Sequence, residues 1–477
     1  MPVNPPVTVN YPDFSSRLAN AIIFPDTTAY PPISTVQVET RFDSDNLTVV
    51  PSVSTTYIYR KTALLVSNVD STETNGSPFG DNASTDAFGR LRVGIPQTLF
   101  DSKLLYDKAP FVFDEVISSG SSTFVPGDSL VVMSTSAASG YVIRQSSSRF
   151  NYQPGKSMFT NITFVAAPEA NIIKRMGLFQ GLSAAPYTPS DGFYLEIGPD
   201  GPSFNIVKTE GTVNTITVPQ SSWNVDRLDG TGSSGLALDF TKGQIFAADY
   251  EWLGLGRIRF GFYLKGKLYY AHYVTNFNAL TTPYMTSPNQ PIRYEIRQTG
   301  AGTGTMKQIC STVVEEGAPE EIGYAVTAAT SGTITVQNGV DTPVLAVRLA
   351  PGAQNLSLFL KEFSLYNTDN TNNARYTLYR DPTITGGSLT WNKPADSYFE
   401  FAYGSSALTV SAGYTMFTGF IPKSQGTSSN IGSQDIQGLI GRFGTKINGT
   451  PDILVIAARG LGSTLALYAA ANAFIKS

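Results

Sequence analysis

Cysteine occurs once in this chain, at Cys310, and histidine once, at His272. A single thiol excludes an intrachain disulfide framework and thiolate zinc clusters. A single imidazole excludes multi-histidine metal centres and leaves one combination for any His-dependent triad or Cys–His pair. Charge is scarce too, at 15% of residues, against roughly 25% in an average soluble protein. With 33 basic and 37 acidic residues the net charge is −4. No basic stripe can neutralise phosphates, so nucleic acid is not expected as a partner. The longest apolar stretch, from about Leu461 to Ile475, is too short and too alanine-rich to cross a bilayer, so no membrane insertion is expected. Met1 opens a polar, proline-rich segment rather than a basic and then apolar leader, which argues against secretion.

What replaces charge is Ser, Thr and Asn with 43 Gly and 29 Pro, alongside 24 Tyr and 28 Phe. Glycine supplies positive φ and proline presets turn dihedrals, while aromatic side chains suit a pleated, half-buried surface. The expectation is an all-β chain of short strands and many turns. Its 477 residues leave room for roughly two to four domains. Residues 1–85, punctuated by seven prolines from Pro2 to Pro32, read as an extended N-terminal arm or anchor, with strand candidates at Thr35–Thr40 and Thr56–Val66. Residues 86–317 read as a central β-sandwich and 318–477 as a second, smaller one. The last segment, Tyr468–Ile475, fits either a strand or a short helix because its alanines weaken the strand case.

The strongest strand pattern is Arg257–Leu264, where Ile258, Phe260, Phe262 and Leu264 share one face. Lys265-Gly266-Lys267 turns the chain back into Leu268–Val274. A two-residue loop would place His272 opposite Arg259 on the polar face. A three-residue loop places it opposite Phe260 and matches Leu264 with Leu268, and the apolar pairing favours this register. Cys310 lies in an alternating Lys307–Val313 segment and reads as a small buried residue.

Candidates for chemistry are few. Glycoside hydrolysis needs two carboxylates facing one cleft. Asp249 and Glu251 have the spacing, but no fuller acidic pattern accompanies them, and solvated positions beside Trp252 are the favoured reading. The run Asn224–Gly232 holds Asp226 and Asp229, with Asp239 following. Oxygen ligands around glycines are how calcium loops are built, so calcium is the one metal to weigh. The EF-hand spacing is not met and Arg227 interrupts the run, so turns capped by aspartate are the plainer account. Trp252, Tyr269 and Tyr273 could stack on sugar rings, as could Trp223 and Trp391, against a core-packing alternative that suits Trp223 and Trp252. Gly254-Leu255-Gly256 precedes a strand, so it is no dinucleotide loop.

Five separated blocks occur in order: Asp86-Ala87-Phe88-Gly89-Arg90-Leu91-Arg92-Val93, Thr98-Leu99-Phe100-Asp101-Ser102-Lys103, Arg149-Phe150-Asn151-Tyr152-Gln153-Pro154-Gly155-Lys156, Trp252-Leu253-Gly254-Leu255-Gly256 and Pro291-Ile292-Arg293-Tyr294-Glu295-Ile296. Over about 86–317 these resemble a family of structural proteins of tailed bacteriophages, and the segment is similar to a concanavalin-like jelly roll. The resemblance implies a virion protein on the particle exterior, as a capsid decoration, head fibre or tail-associated part, made in the host cytoplasm. Family members carry no assigned chemistry, so no catalytic residue is transferred. The expected partners are copies of the chain (a homo-oligomer, with a trimer as one candidate count) and other virion proteins. A glycan-binding adhesin, recognising a host-surface glycan, and a polysaccharide-degrading enzyme are the alternatives.

Overall fold

A computed structural model describes residues 84–317, 323–423 and 443–476 in full. Of the rest it describes the backbone of Val7–Val9 paired with Ala21–Ile23, Glu39–Phe42 paired with Asp45–Thr48, and Ser429–Ile431. The strand expected at Thr56–Val66 lies outside the described residues. Compactness divides the chain into Met1–Arg92 and Val93–Ser477. Near the end of the first unit a turn at Ala87 and Phe88 is closed by one bridge, Thr85 to Leu91, and 89–93 forms no strand. Among the described residues there is one short 3-10 turn, Gln220–Ser222, and no α-helix.

The second unit holds two antiparallel β-sandwiches in succession. In the first, an eight-stranded sheet runs in the order Lys267–Thr275, Arg257–Leu264, Gln244–Tyr250, Met158–Val165, Gly304–Glu316, Leu130–Thr135, Gly120–Val125, with Pro96–Lys103 also paired to Gly304–Glu316. A seven-stranded sheet runs Thr212–Pro219, Gly201–Glu210, Pro189–Gly198, Ile172–Gly181, Ile292–Gln298, Tyr141–Ser146, Phe113–Ser118. The chain crosses between the sheets repeatedly, as a jelly roll does, and closes one aromatic core between them. At its centre Phe204 stacks on Trp223 at 4.4 Å and on Phe260 at 4.5 Å between ring centroids.

Ile258, Phe260 and Phe262 all point into that core, as their period-2 spacing requires. The return strand pairs Phe260 with His272 and Ile258 with Val274. The expected partner of His272 is therefore present, but the match of Leu264 with Leu268 and the three-residue loop are not. Leu264 pairs with Lys267 across a two-residue turn, in which Lys265 and Gly266 have φ of 49° and 75°. One extra residue on the return strand, between Tyr270 and His272, then shifts the register.

In the second sandwich, Trp391–Asn392, Phe399–Tyr403, Thr342–Leu349, Ile453–Leu461, Asn373–Arg380 and Tyr414–Ile421 form a six-stranded sheet. It faces a smaller sheet built on Leu465–Lys476, which pairs with Ser357–Asn367 on one side and with Tyr324–Ala329 and Ile334–Val336 on the other. The alanine-rich terminal segment is thus a central strand. Leu465, Leu467, Ala469, Ala471, Ala473 and Ile475 face inward, and the small residues admit bulky ones from neighbouring strands, such as Phe363 opposite Ala471.

The two sandwiches touch directly. Phe111 packs tilted against Tyr414 with centroids 3.7 Å apart, and the Ile447 N–H donates to Asp114 Oδ2 at 2.7 Å. Ala471→Leu should force extra methylenes into a filled core and lower stability by about 1–3 kcal/mol. Denaturant unfolding would read this as a lower midpoint at unchanged slope.

Candidate functional site

The outer face of the seven-stranded sheet carries a dense cluster of charged side chains. Met176 and Leu178 point into the core, so alternation sends Arg175, Gly177 and Phe179 outward. By the same rule Tyr194 and Glu196 face out on the next strand, and Arg293, Glu295 and Arg297 on the other neighbour. Cross-strand pairing then sets Arg175 between Glu196 and Glu295. Gly177 lies opposite Tyr194, and Gly192 opposite Phe179. A Cβ on Gly177 would come within 2.3 Å of the Phe193 carbonyl oxygen and 2.8 Å of Tyr194 Cβ. The two glycines thus leave room for aromatic rings on the opposing strands, and Phe179, Tyr194 and Val207 form a small apolar cluster there.

Glu295 is wholly buried. Its Oε1 accepts hydrogen bonds from Arg175 Nη1 at 2.7 Å and from Arg297 Nε. Its Oε2 accepts from Arg293 Nε at 3.0 Å and Arg293 Nη2 at 2.6 Å. Those four bonds take up the acceptor capacity of a carboxylate. Arg175 also donates to Glu196 Oε2 at 2.7 Å. Arg293 Nη1 reaches Gln145 at 3.3 Å, and Arg297 Nη2 donates to the Pro186 carbonyl at 2.6 Å. The loop carrying Pro186 and Tyr187 therefore lies over this face, held by arginines that donate to its carbonyls.

Burial alone would raise the Glu295 carboxyl, but Arg293, Arg297 and Arg175 hold it far below the usual range. Burial works against the charge on Arg175, and Glu295 and Glu196 more than offset it. Tyr194, desolvated beside these groups, is pushed up to about 12. A general acid needs a carboxyl protonated near neutral pH, and a general base needs a free lone pair. Glu295 offers neither. The face is built to be held still.

The residues singled out in the sequence lie elsewhere. Asp249 and Glu251 are buried, contrary to the expectation of solvated positions. The Asp249 carboxylate pairs with buried Arg259 and accepts from Ser157 Oγ at 2.7 Å and Tyr270 Oη at 3.1 Å. Asp226 accepts from the Leu228 and Ser234 N–H groups, Asp229 from Thr231, and Asp239 from Thr241, so each aspartate closes its own turn. Among the described residues no group of three His, Cys, Asp or Glu side chains is arranged to hold a metal ion. Trp252 is half-buried and donates its indole N–H to the Met285 carbonyl at 3.2 Å. Tyr269 packs against the core edge, and Tyr273 packs edge-on against Tyr270 at 5.5 Å. These three do not form a shared stacking platform with the arginine–glutamate face, which lies on the other sheet.

His272 is buried, with Nδ1 accepting the Asn224 N–H at 3.1 Å, and burial lowers its pKa. Cys310 is exposed rather than buried. Two residues, Ile309 and Cys310, lie against Thr163 alone, and this bulge turns Cys310 outward between inward-facing Gln308 and Ser311.

Glu295→Gln should destabilise the fold by about 3–5 kcal/mol at neutral pH, since three guanidinium groups lose their shared anion. A carboxyl depressed on folding contributes stability above its ordinary value of 4.5, and loses it as pH falls toward the folded value. Denaturation midpoints of wild type and variant should therefore differ most at pH 7 and converge as the medium is acidified.

No family model matches the chain, and no curated protein is significantly similar in sequence. Among solved structures, the chain is similar to a Bacillus licheniformis β-glucanase, at 12% identity and a TM-score of 0.30 over 47% of this chain and 99% of that one. It is similar to the carbohydrate recognition domain of Emp47p, at 12% identity and a TM-score of 0.30 over 50% of this chain and all of the other. The exoplasmic/lumenal domain of VIP36, in a form bound to Ca2+ and Man3GlcNAc, aligns at 12% identity and a TM-score of 0.28 over 46% of this chain and 89% of that one. At such distances no property of those proteins passes to this chain.

Proposed function

We propose that this chain is a non-enzymatic structural protein of the exterior of a tailed-bacteriophage particle. In this reading it assembles with copies of itself and with other virion proteins through its N-terminal arm, and displays two β-sandwiches outward. The virion assignment draws on the five ordered sequence blocks between Asp86 and Ile296. The observation that carries the non-enzymatic part is the saturated Glu295 carboxylate, with every acceptor position taken by Arg175, Arg293 and Arg297.

Polysaccharide hydrolysis is disfavoured by the same geometry. A glycosidase needs one carboxyl to protonate the leaving oxygen and a second to act as base or nucleophile. Glu295 is held ionised, and Glu196 is tied to Arg175. Asp249 is enclosed with Arg259 in the opposite sheet. The direct contacts between the sandwiches support display as a single body rather than as modules on a string.

Mass spectrometry of purified particles should find this polypeptide as a stoichiometric component, and light scattering should find the isolated full chain to be oligomeric. Absence from the particles would reject the virion reading, and a monomer would reject self-assembly. Release of reducing ends from host polysaccharide, lost in Asp249→Asn or Glu196→Gln, would instead establish an enzyme.

A further inference from the structure

Thr212–Pro219 closes one end of the seven-stranded sheet, and among the described residues its one strand partner is Gly201–Glu210. Its other long side is a row of backbone N–H and C=O groups with no strand beside it. Such an edge is a template for another chain, and proteins guard it with charge, proline, bulges or a covering segment. Other edges of this sandwich are guarded. Pro96–Lys103 carries Pro96, Asp101 and Lys103 and has a break in its register. Phe113–Ser118 carries Asp114 and Glu115. Along Lys267–Thr275 the Val225 N–H donates to the Ala271 carbonyl at 3.1 Å, and the Asn224 side chain bonds the Tyr273 backbone.

Thr212–Pro219 has none of these guards. Its sequence, Thr-Val-Asn-Thr-Ile-Thr-Val-Pro, contains no charged residue, and its one proline comes last. Its pairing with Gly201–Glu210 runs the whole length without a bulge. Seven of its eight residues are exposed, Ile216 to 53% and Val213 to 37%. Six of the eight are β-branched, so the strand is stiff and extended with little core beneath it.

A second copy of the same strand suits this edge. A continuous antiparallel sheet keeps side-chain faces in step, so a two-fold axis joining two identical strands must pass at one residue opposite its own twin. Thr215 and Ile216 are the central choices. Centred on Thr215, residues 212–218 pair in full, with Val213 opposite Thr217, and Pro219 falls outside. Centred on Ile216, Thr215 meets Thr217 and Asn214 meets Val218. In neither register do like charges meet. The charged side chains of the neighbouring strand, Lys208 and Glu210, already pair with each other.

We propose that two copies of this chain join antiparallel through residues 212–218, so that two seven-stranded sheets become one sheet of fourteen strands. The contact is separate from assembly through the N-terminal arm and does not rest on the virion reading. One strand edge is small beside the roughly 1,200–2,000 Å² of a stable interface, so this dimer is reversible.

The test is cysteine cross-linking in the full chain. Cys310→Ser removes the one native thiol, which is exposed. Thr215→Cys, Ile216→Cys and Thr212→Cys are then introduced singly and the protein oxidised. Directly opposed residues have Cβ atoms about 4.5–5.5 Å apart, so one of the two central cysteines should give a disulfide-linked dimer on a non-reducing gel. Thr212→Cys should not, because its twin would lie about 20 Å away or more at about 3.4 Å per residue. Thr215→Lys combined with Ile216→Lys sets like charges against each other and should weaken the dimer about tenfold or more by sedimentation velocity. Its melting temperature should not change, since both positions are exposed. No cross-link at either central position would overturn the proposal. So would equal cross-linking at Thr212→Cys, or wild-type association by the lysine variant. Assembly through the arm alone would give an oligomer without the central cross-link, which tells the two contacts apart.

Discussion

Glu295 is the point on which the seven-stranded sheet turns. Its strand runs between Ile172–Gly181 and Tyr141–Ser146, and its carboxylate draws in arginines from two strands. Through Arg175 the network reaches Glu196 on a third strand, through Arg293 it reaches Gln145 on a fourth, and through Arg297 it holds the loop at Pro186. Charges this deep are costly to desolvate, and the cost is offset only where geometry is complete. Here it is complete for the carboxylate. The outer face of the sheet is thereby a second, polar core rather than an open surface, with Phe179, Tyr194 and Val207 filling the space beside it.

Which side chains reach such a face is decided by single extra residues. Along Gly304–Glu316, Met306 and Gln308 face inward on one parity, and Ser311 and Val313 on the other. The bulge at Ile309 and Cys310 makes that switch, since one added residue exchanges the two faces of a strand. In the Arg257–Thr275 hairpin a bulge restores the pairing of Phe260 with His272 that a two-residue turn would otherwise shift. Apolar matching read from sequence therefore arrives at the right partner for His272, through a loop that does not exist. For Cys310 unbroken alternation leads to the wrong face.

Legibility followed the number of faces a strand has to satisfy. Arg257–Leu264 announces itself because apolar and other residues alternate, and Phe399–Tyr403 does likewise. Ile172–Gly181 does not: Ile173, Lys174, Arg175 and Gly177 break the period, because both of its faces are buried, one against Phe193 and one against Glu295. Asp249 misleads for the same reason. On a sheet with one wet face an acidic residue is solvated, whereas here it is enclosed with Arg259. The arginine–glutamate face did leave a mark, in Arg293-Tyr294-Glu295-Ile296-Arg297, where charges at every second position alternate with core residues. A charged stripe of that period on a strand between apolar neighbours signals a buried ion network as readily as a solvated edge.

The chain has few charges and spends many of them inside. Arg144 with Glu115, Lys174 with Glu169, Arg259 with Asp249, Arg380 with Asp452, and Asp341 held by Arg459 and Arg375 repeat the arrangement around Glu295. Apart from the local Lys174–Glu169 pair, each joins residues on different strands or connections, so a mispaired sheet would strand a charge in a poor solvent for it. The internal use of charge thus helps to specify the register of the long sheets whose strands these pairs join.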